Sequence, residues 1–131
     1  MAEYTVVNLK EVEDMALKSG LAPNLEYRSG GPLELESSGL SYQRLAPNFR
    51  TPFGHKHKQQ EELYILVGGS GRVKIDDEIV DVKTLDALRV PAEKMRCFEA
   101  GPEGLELLAF GAPHVESAAA DVEMAPNWWA D

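Results

Sequence analysis

Between about Leu25 and Phe110 the chain repeats one pattern: a few strand-forming residues, then a cluster of glycine, proline, asparagine, serine or aspartate. Many short strands at such spacing define an all-β chain, a β-sandwich or small barrel. The predicted strands are Leu25–Arg28, Leu33–Leu35, Leu40–Leu45, Phe53–His57, Leu63–Val67, Arg72–Ile75, Glu78–Val82, Ala87–Val90, Met95–Glu99 and Leu105–Phe110. The segments SGG, SSG, APN, VGGSG, DDE and AGPEG read as the turns between them, and RVKI-DDE-IVDV reads as a hairpin.

One strand breaks the alternation expected of a half-exposed sheet. Leu63–Val67, LYILV, is apolar at every position, so both of its faces should be covered. The inner face fills a barrel. The outer face then needs a helix or a second subunit, which together with Trp128 and Trp129 in the tail predicts a homodimer. The one helix signal, residues 8–19, has Asn8 as its cap, Leu9, Val12, Met15 and Ala16 on one stripe and Gly20 as its stop. At 131 residues the chain has the length of a single domain, residues 1–131, with the barrel at about 25–110 and a tail at 113–131.

A net charge of −9 opposes binding to phosphate backbones or anionic lipid, so neither nucleic acid nor a membrane is an expected partner. The opening MAEYTVVNLKEVED lacks the basic-then-apolar order of a secretion signal, and the single cysteine, Cys97, fits a reducing compartment. A cytoplasmic protein acting on a small molecule is the expectation.

Two of the three histidines, His55 and His57, stand two residues apart just before Glu61 and Glu62. On a strand that spacing points both imidazoles to one face. An antiparallel turn through Lys58–Glu61 would set Glu62 beside them, and two imidazoles with one carboxylate form a facial triad that leaves a divalent metal open positions. The plainer reading is a pair of surface histidines near a charged loop.

The stretch resembles the first motif of the cupin family: a glycine, five residues, H-x-H, three or four residues, E, six residues, G. Here His55-Lys56-His57 is followed by four residues, Glu62, six residues and Gly69, while Phe49 replaces the leading glycine. The resemblance implies a double-stranded β-helix, or jelly roll, with one short N-terminal helix and a metal in its mouth held by His55, His57 and Glu62. Glu61 competes with Glu62, but Glu62 has the spacing that ends on Gly69 and shares strand parity with Tyr64 and Leu66. The second motif is similar only at Pro91: Leu85, Glu93, Arg96 and Ala100 stand where two glycines, a histidine and an asparagine are usual. The chain also looks like the small, uncharacterised single-domain cupins of bacteria, a likeness that carries no reaction with it.

The resemblance therefore implies a divalent transition metal (Fe, Mn, Ni or Zn) and a small polar or anionic ligand bound with help from Arg96, Tyr64 and Gln43. Oxygenase, isomerase and decarboxylase chemistries all fit such a site. The alternatives are a non-catalytic binding or sensing cupin, and a site that has lost its metal and pairs Glu62 with Arg96. Cys97 reads as an inert buried thiol, His114 as exposed, and the two tryptophans as packed onto the barrel or a partner.

Overall fold

The computed structural model describes residues 3–130. Eight strands form it: β1 (Leu25–Ser29), β2 (Gly39–Leu45), β3 (Phe53–His57), β4 (Glu61–Ile75), β5 (Glu78–Lys83), β6 (Ala87–Val90), β7 (Arg96–Ala112) and β8 (Val122–Pro126). The long strands β4 and β7 pair antiparallel along most of their length and bend together, so each serves two sheet faces. One face runs β1-β2-β7-β4-β6. The other runs β8-β3-β7-β4-β5. The two faces close a jelly roll around Leu45, Tyr64, Leu66, Val73, Val90, Leu105 and Leu107, all almost without solvent contact.

The bend explains why β4 and β7 were each expected as two strands. VGGSG and AGPEG are not turns but the places where β4 and β7 cross between faces, with the register shifting between Leu66 and Gly68 and again between Gly69 and Gly71. Gly69 sits at φ 71°, and a Cβ there would lie 2.0 Å from the Gly104 carbonyl oxygen. At Gly71 it would lie 2.1 Å from that of Glu99. Glycine at these points admits the neighbouring backbone. The hairpin formed as expected, pairing Ile75 with Glu78.

Two expected elements need correction. Residues 8–19 do not form one helix. Asn8 caps a 3-10 turn, Leu9–Glu11, and Val12 then leaves the helical region at ψ 160°. The Asp14 carboxylate accepts from the backbone N–H groups of Ala16 and Tyr27, and Arg28 donates to the Val12 carbonyl, so contacts to β1 outbid helix propagation. Helix α1 is only Ala16–Ser19, ended by Gly20 at φ 79°. Leu33–Leu35 is no strand, because Gly31–Leu33 is a 3-10 turn and Glu34 is left-handed at φ 56°.

The tail contributes more than a linker. After a short helix, α2 (Ala118–Asp121), β8 lies antiparallel on β3, pairing His57 with Val122 and His55 with Met124. Trp129 is buried under the Arg50 and Arg72 guanidiniums, 4.2 and 5.2 Å from its ring, and both arginines are held by Glu99. The tryptophans thus pack on their own barrel. LYILV does alternate: Tyr64 and Leu66 are buried, while Leu63 and Val67 remain 39% and 40% exposed on the outer face, which the short α1 does not cover. No helix among the described residues is long and apolar enough to cross a membrane.

Candidate metal centre

His55 and His57 point inward from β3, as the period of two requires. Glu62 reaches them from β4, but not across a hairpin: β3 pairs with β7 and β8, and β4 with β5, β6 and β7. The two strands lie on opposite faces, and the connection Lys58–Gln60 crosses between them. Nε2 of His55 lies 3.2 Å, and Nε2 of His57 3.0 Å, from one and the same oxygen, Glu62 Oε1. The rings stand edge to face with centroids 5.2 Å apart. Glu61 points away to solvent, 3.7 Å from Arg89, so the geometry favours Glu62 of the two candidates. One donor atom from each of His55, His57 and Glu62 lies within 4.8 Å of the others, a spacing that fits a single divalent ion.

Sequence reasoning missed Asp121. Its side chain, 4% exposed with the rest of the residue, places Oδ2 3.0 Å from His57 Nδ1. It also accepts from the backbone N–H of Gln59 at 2.9 Å and of Gln60 at 3.3 Å, while its carbonyl takes Lys58 N–H at 2.8 Å. One tail residue therefore both shapes the loop between the metal-binding candidates and gives His57 Nδ1 an acceptor. An imidazole donating from Nδ1 presents its Nε2 lone pair to the centre, the usual arrangement around bound metals. Nothing in SAAAD marked this aspartate as different from any linker acid.

Burial acts to raise the Glu62 pKa, but hydrogen bonds from His55, His57 and Tyr64 prevail and hold the carboxyl well below the usual carboxylate range. Burial acts to lower the His57 pKa, and the hydrogen bonds and charges of Glu62 and Asp121 reverse that and raise it. Tyr64, facing inward beside Glu62 as parity predicted, donates its hydroxyl to Glu62 Oε1 and lies 3.5 Å from His55 Nε2. Burial pushes its phenol well above the ordinary value, so it stays a donor.

Arg96 does not play the part expected of it. It is 0% exposed and borders none of the cavities that open at the cluster, which are walled by other residues. Its guanidinium is turned to backbone carbonyls: Nη1 to His55 at 3.4 Å, Nη2 to Val90 at 3.3 Å and Pro91 at 3.2 Å. Its Nε forms an ion pair with Glu62 Oε1 only at the contact limit, 4.0 Å, and among the described residues that Nε has no hydrogen-bond partner. The two histidines and Tyr64 already occupy that carboxylate oxygen. Gln43 does line a cavity, next to Thr51 and His55. His114 is exposed, and burial pushes the Cys97 thiol up to about 11.

The architecture is the cupin-type jelly-roll fold, a bent double-faced barrel, and it brings the H-x-H histidines beside a glutamate. Solved structures similar to it bear that out for the fold. A cupin protein from Bacteroides fragilis matches with a TM-score of 0.68 and 23% identity over 89% of this chain and 90% of its own. A single-site variant of oxalate decarboxylase from B. subtilis matches with a TM-score of 0.73 and 24% identity over 91% of this chain, which spans only 33% of that longer one. A single-site variant of Streptomyces Pac13, a nucleoside dehydratase, in complex with uridine matches with a TM-score of 0.71 and 15% identity over 95% of this chain and 91% of its own. No protein-family model and no curated protein matches the sequence.

Proposed function

We propose that the protein holds a divalent transition metal (Fe, Mn, Ni or Zn) through His55, His57 and Glu62 and binds a small molecule at its open positions. The observation that carries this reading is the convergence of the two Nε2 atoms on Glu62 Oε1, with Asp121 behind His57. Three protein ligands leave about three positions for a bidentate molecule and water or dioxygen, and the bound ion would supply Lewis acidity there. The chain's own residues do the rest: Asp121 orients His57, Tyr64 donates to Glu62, and Gln43 stands on the wall of the adjoining cavity. The fold's relatives with bound small molecules, such as Pac13 with uridine, support a small-molecule partner. A charge of −9 argues against nucleic acid, and a reducing cytoplasm suits the free thiol of Cys97.

Binding without turnover is the second reading, and Tyr64 favours it. The phenol is fully buried, and its raised pKa makes it a fixed hydrogen-bond donor rather than a group that exchanges a proton near neutrality. Oxygenase, isomerase and decarboxylase activities remain the enzymatic form of the proposal. We also propose a homodimer, in which a second copy covers Leu63 and Val67. A sedimentation mass of one chain at micromolar concentration would refute that part.

Elemental analysis of protein purified without added metal, followed by titration with Mn, Fe, Ni and Zn, tests the central claim. One equivalent should bind, and the His55→Ala/His57→Ala double variant should lose it while keeping its circular dichroism. Failure of all four metals to bind the wild-type protein would overturn the proposal.

A further inference from the structure

The cluster stands at a neck between two cavities of different character. On one side lies a space of about 260 Å³, bordered by the loop-rich stretch Ser29–Ser41 and by Gln60, Gly111 and His114. On the other lies a space of about 250 Å³ inside the barrel. Both reach His57 and Glu62, and Tyr27 and Val122 border both, forming the partition.

The inner lobe has apolar walls. Leu25 comes from β1, Phe53 from β3, Phe98 from β7 and Met124 from β8, with Tyr27, Gln43, Thr51 and the Cys97 thiol as the uncharged polar side chains away from the cluster. Among the described residues, no lysine or arginine borders it. A carboxylate or phosphate in the body of a ligand would give up its water there without a cation to meet it, a large cost in a wall of aromatic and aliphatic carbon. An uncharged body gains by leaving water for the same wall. Size narrows the choice further, since a dry apolar cavity of ~150 Å³ accepts benzene. The lobe is larger than that and so has room for one ring with short substituents. Gln43 donates its Nε2 to Ser41 Oγ at 3.2 Å, which leaves the acceptor end of its amide for a hydroxyl or N–H of the ligand.

We infer that this lobe receives the uncharged, ring-sized body of a small cyclic compound whose oxygen-donor head reaches His55, His57 and Glu62. The inference rests on the proposed metal site for the head of the ligand, but not for its body. It replaces the anionic ligand expected from Arg96, which faces neither cavity. Of the fold's relatives, those named for very small diacids would be poor guides to this chain, because a diacid leaves the apolar walls wet.

The test uses 4-fluorophenol and fluoroacetate as ¹⁹F NMR probes of the whole chain, metal-free and loaded with zinc, with zinc affinity measured by calorimetry. The ring probe should bind both forms, at least tenfold more tightly with zinc, and the acyclic anion only the zinc form and more weakly than the ring. Met124 is 53% exposed on β8, so Met124→Lys puts a cation on the lobe without disturbing the core. It should weaken 4-fluorophenol at least fivefold, strengthen fluoroacetate and leave zinc affinity unchanged. Absence of 4-fluorophenol binding in both forms, tighter binding of fluoroacetate than of the ring, or indifference of the ring probe to Met124→Lys overturns the lobe assignment. Ring binding unaffected by zinc overturns the placement of the head. Ring binding to a protein that takes up no zinc supports the lobe while refuting the metal reading.

Discussion

Asp121 Oδ2 lies 3.0 Å from His57 Nδ1, joining a tail residue to a β3 residue across 64 positions of sequence. The same carboxylate receives two N–H groups of the Lys58–Gln60 connection, so its removal should both free the imidazole to rotate and loosen the path to Glu62. Asp121→Ala should weaken metal binding about 10–100-fold, the usual effect of losing such a partner. Asp121→Asn, which keeps an acceptor oxygen, should lose less. Calorimetric titration of the two variants checks the order, and ¹⁵N shifts of the His57 ring should report a mixed tautomer in Asp121→Ala.

The cluster also sets a pH window for the metal-free protein. The His57 pKa is raised on folding, so the stability it contributes is complete below its ordinary value of 6.5 and is lost as pH rises through the folded value. Glu62 and Asp121 are lowered, so theirs is complete above the ordinary values of 4.5 and 3.8 and is lost as pH falls. Glu26, held down to about 2 against the effect of burial by Arg28, Lys10 and Arg44, adds to the acid-side loss. Thermal unfolding in chelator should therefore show greatest stability between about pH 4.5 and 6.5. His57→Gln should flatten the decline on the neutral side, whereas an unchanged slope would count against the assignment.

Arg96 is expected to matter for stability and hardly at all for ligand affinity. Arg96→Met would leave the carbonyls of Val90 and Pro91 without a buried donor and remove the charge 4.0 Å from Glu62. Loss of one partner from such a buried network costs about 3 kcal/mol. Arg96→Lys, a point charge without the planar fork, should recover only part of it. Urea unfolding measures both, and a silent Arg96→Met would refute the role.

Leu85 occupies a place where glycine is better suited. It stands at φ 74°, is 82% exposed, and falls where the second cupin motif has its first glycine. Left-handed backbone costs a residue with a Cβ about 1–2 kcal/mol, partly offset by the greater entropy of glycine in the unfolded chain. Leu85→Gly should raise stability by roughly 0.5–1 kcal/mol, visible as a higher unfolding midpoint with metal affinity unchanged. A lower midpoint would show that Leu85 packs against something after all.

Trp129 is the anchor of the tail, sandwiched against Arg50 and Arg72 at the far end of β8 from Asp121. Trp129→Ala should free β8 from β3 and so lower metal affinity in the same direction as Asp121→Ala, although no atom of Trp129 belongs to the cluster. Hydrogen exchange should rise over Val122–Pro126 before the core opens.

Most of the strands and the inward parity of His55, His57, Glu62 and Tyr64 were legible in the chain itself. Each depends on the two-residue period of a strand or on spacing within a dozen residues, and local sterics decide both. Tertiary structure decided what local rules cannot reach. VGGSG and AGPEG carry turn chemistry, yet they are crossings, because each glycine answers to backbone from a distant part of the chain. Residues 8–19 have the helical stripe but yield to Arg28 and Tyr27 on β1. Arg96 has the charge to clamp an anion, and its burial turned it instead to the carbonyls of His55, Val90 and Pro91. Asp121 becomes part of the centre only when β8 lies on β3, since a carboxylate acquires a partner by proximity and proximity over such separations is a property of the fold.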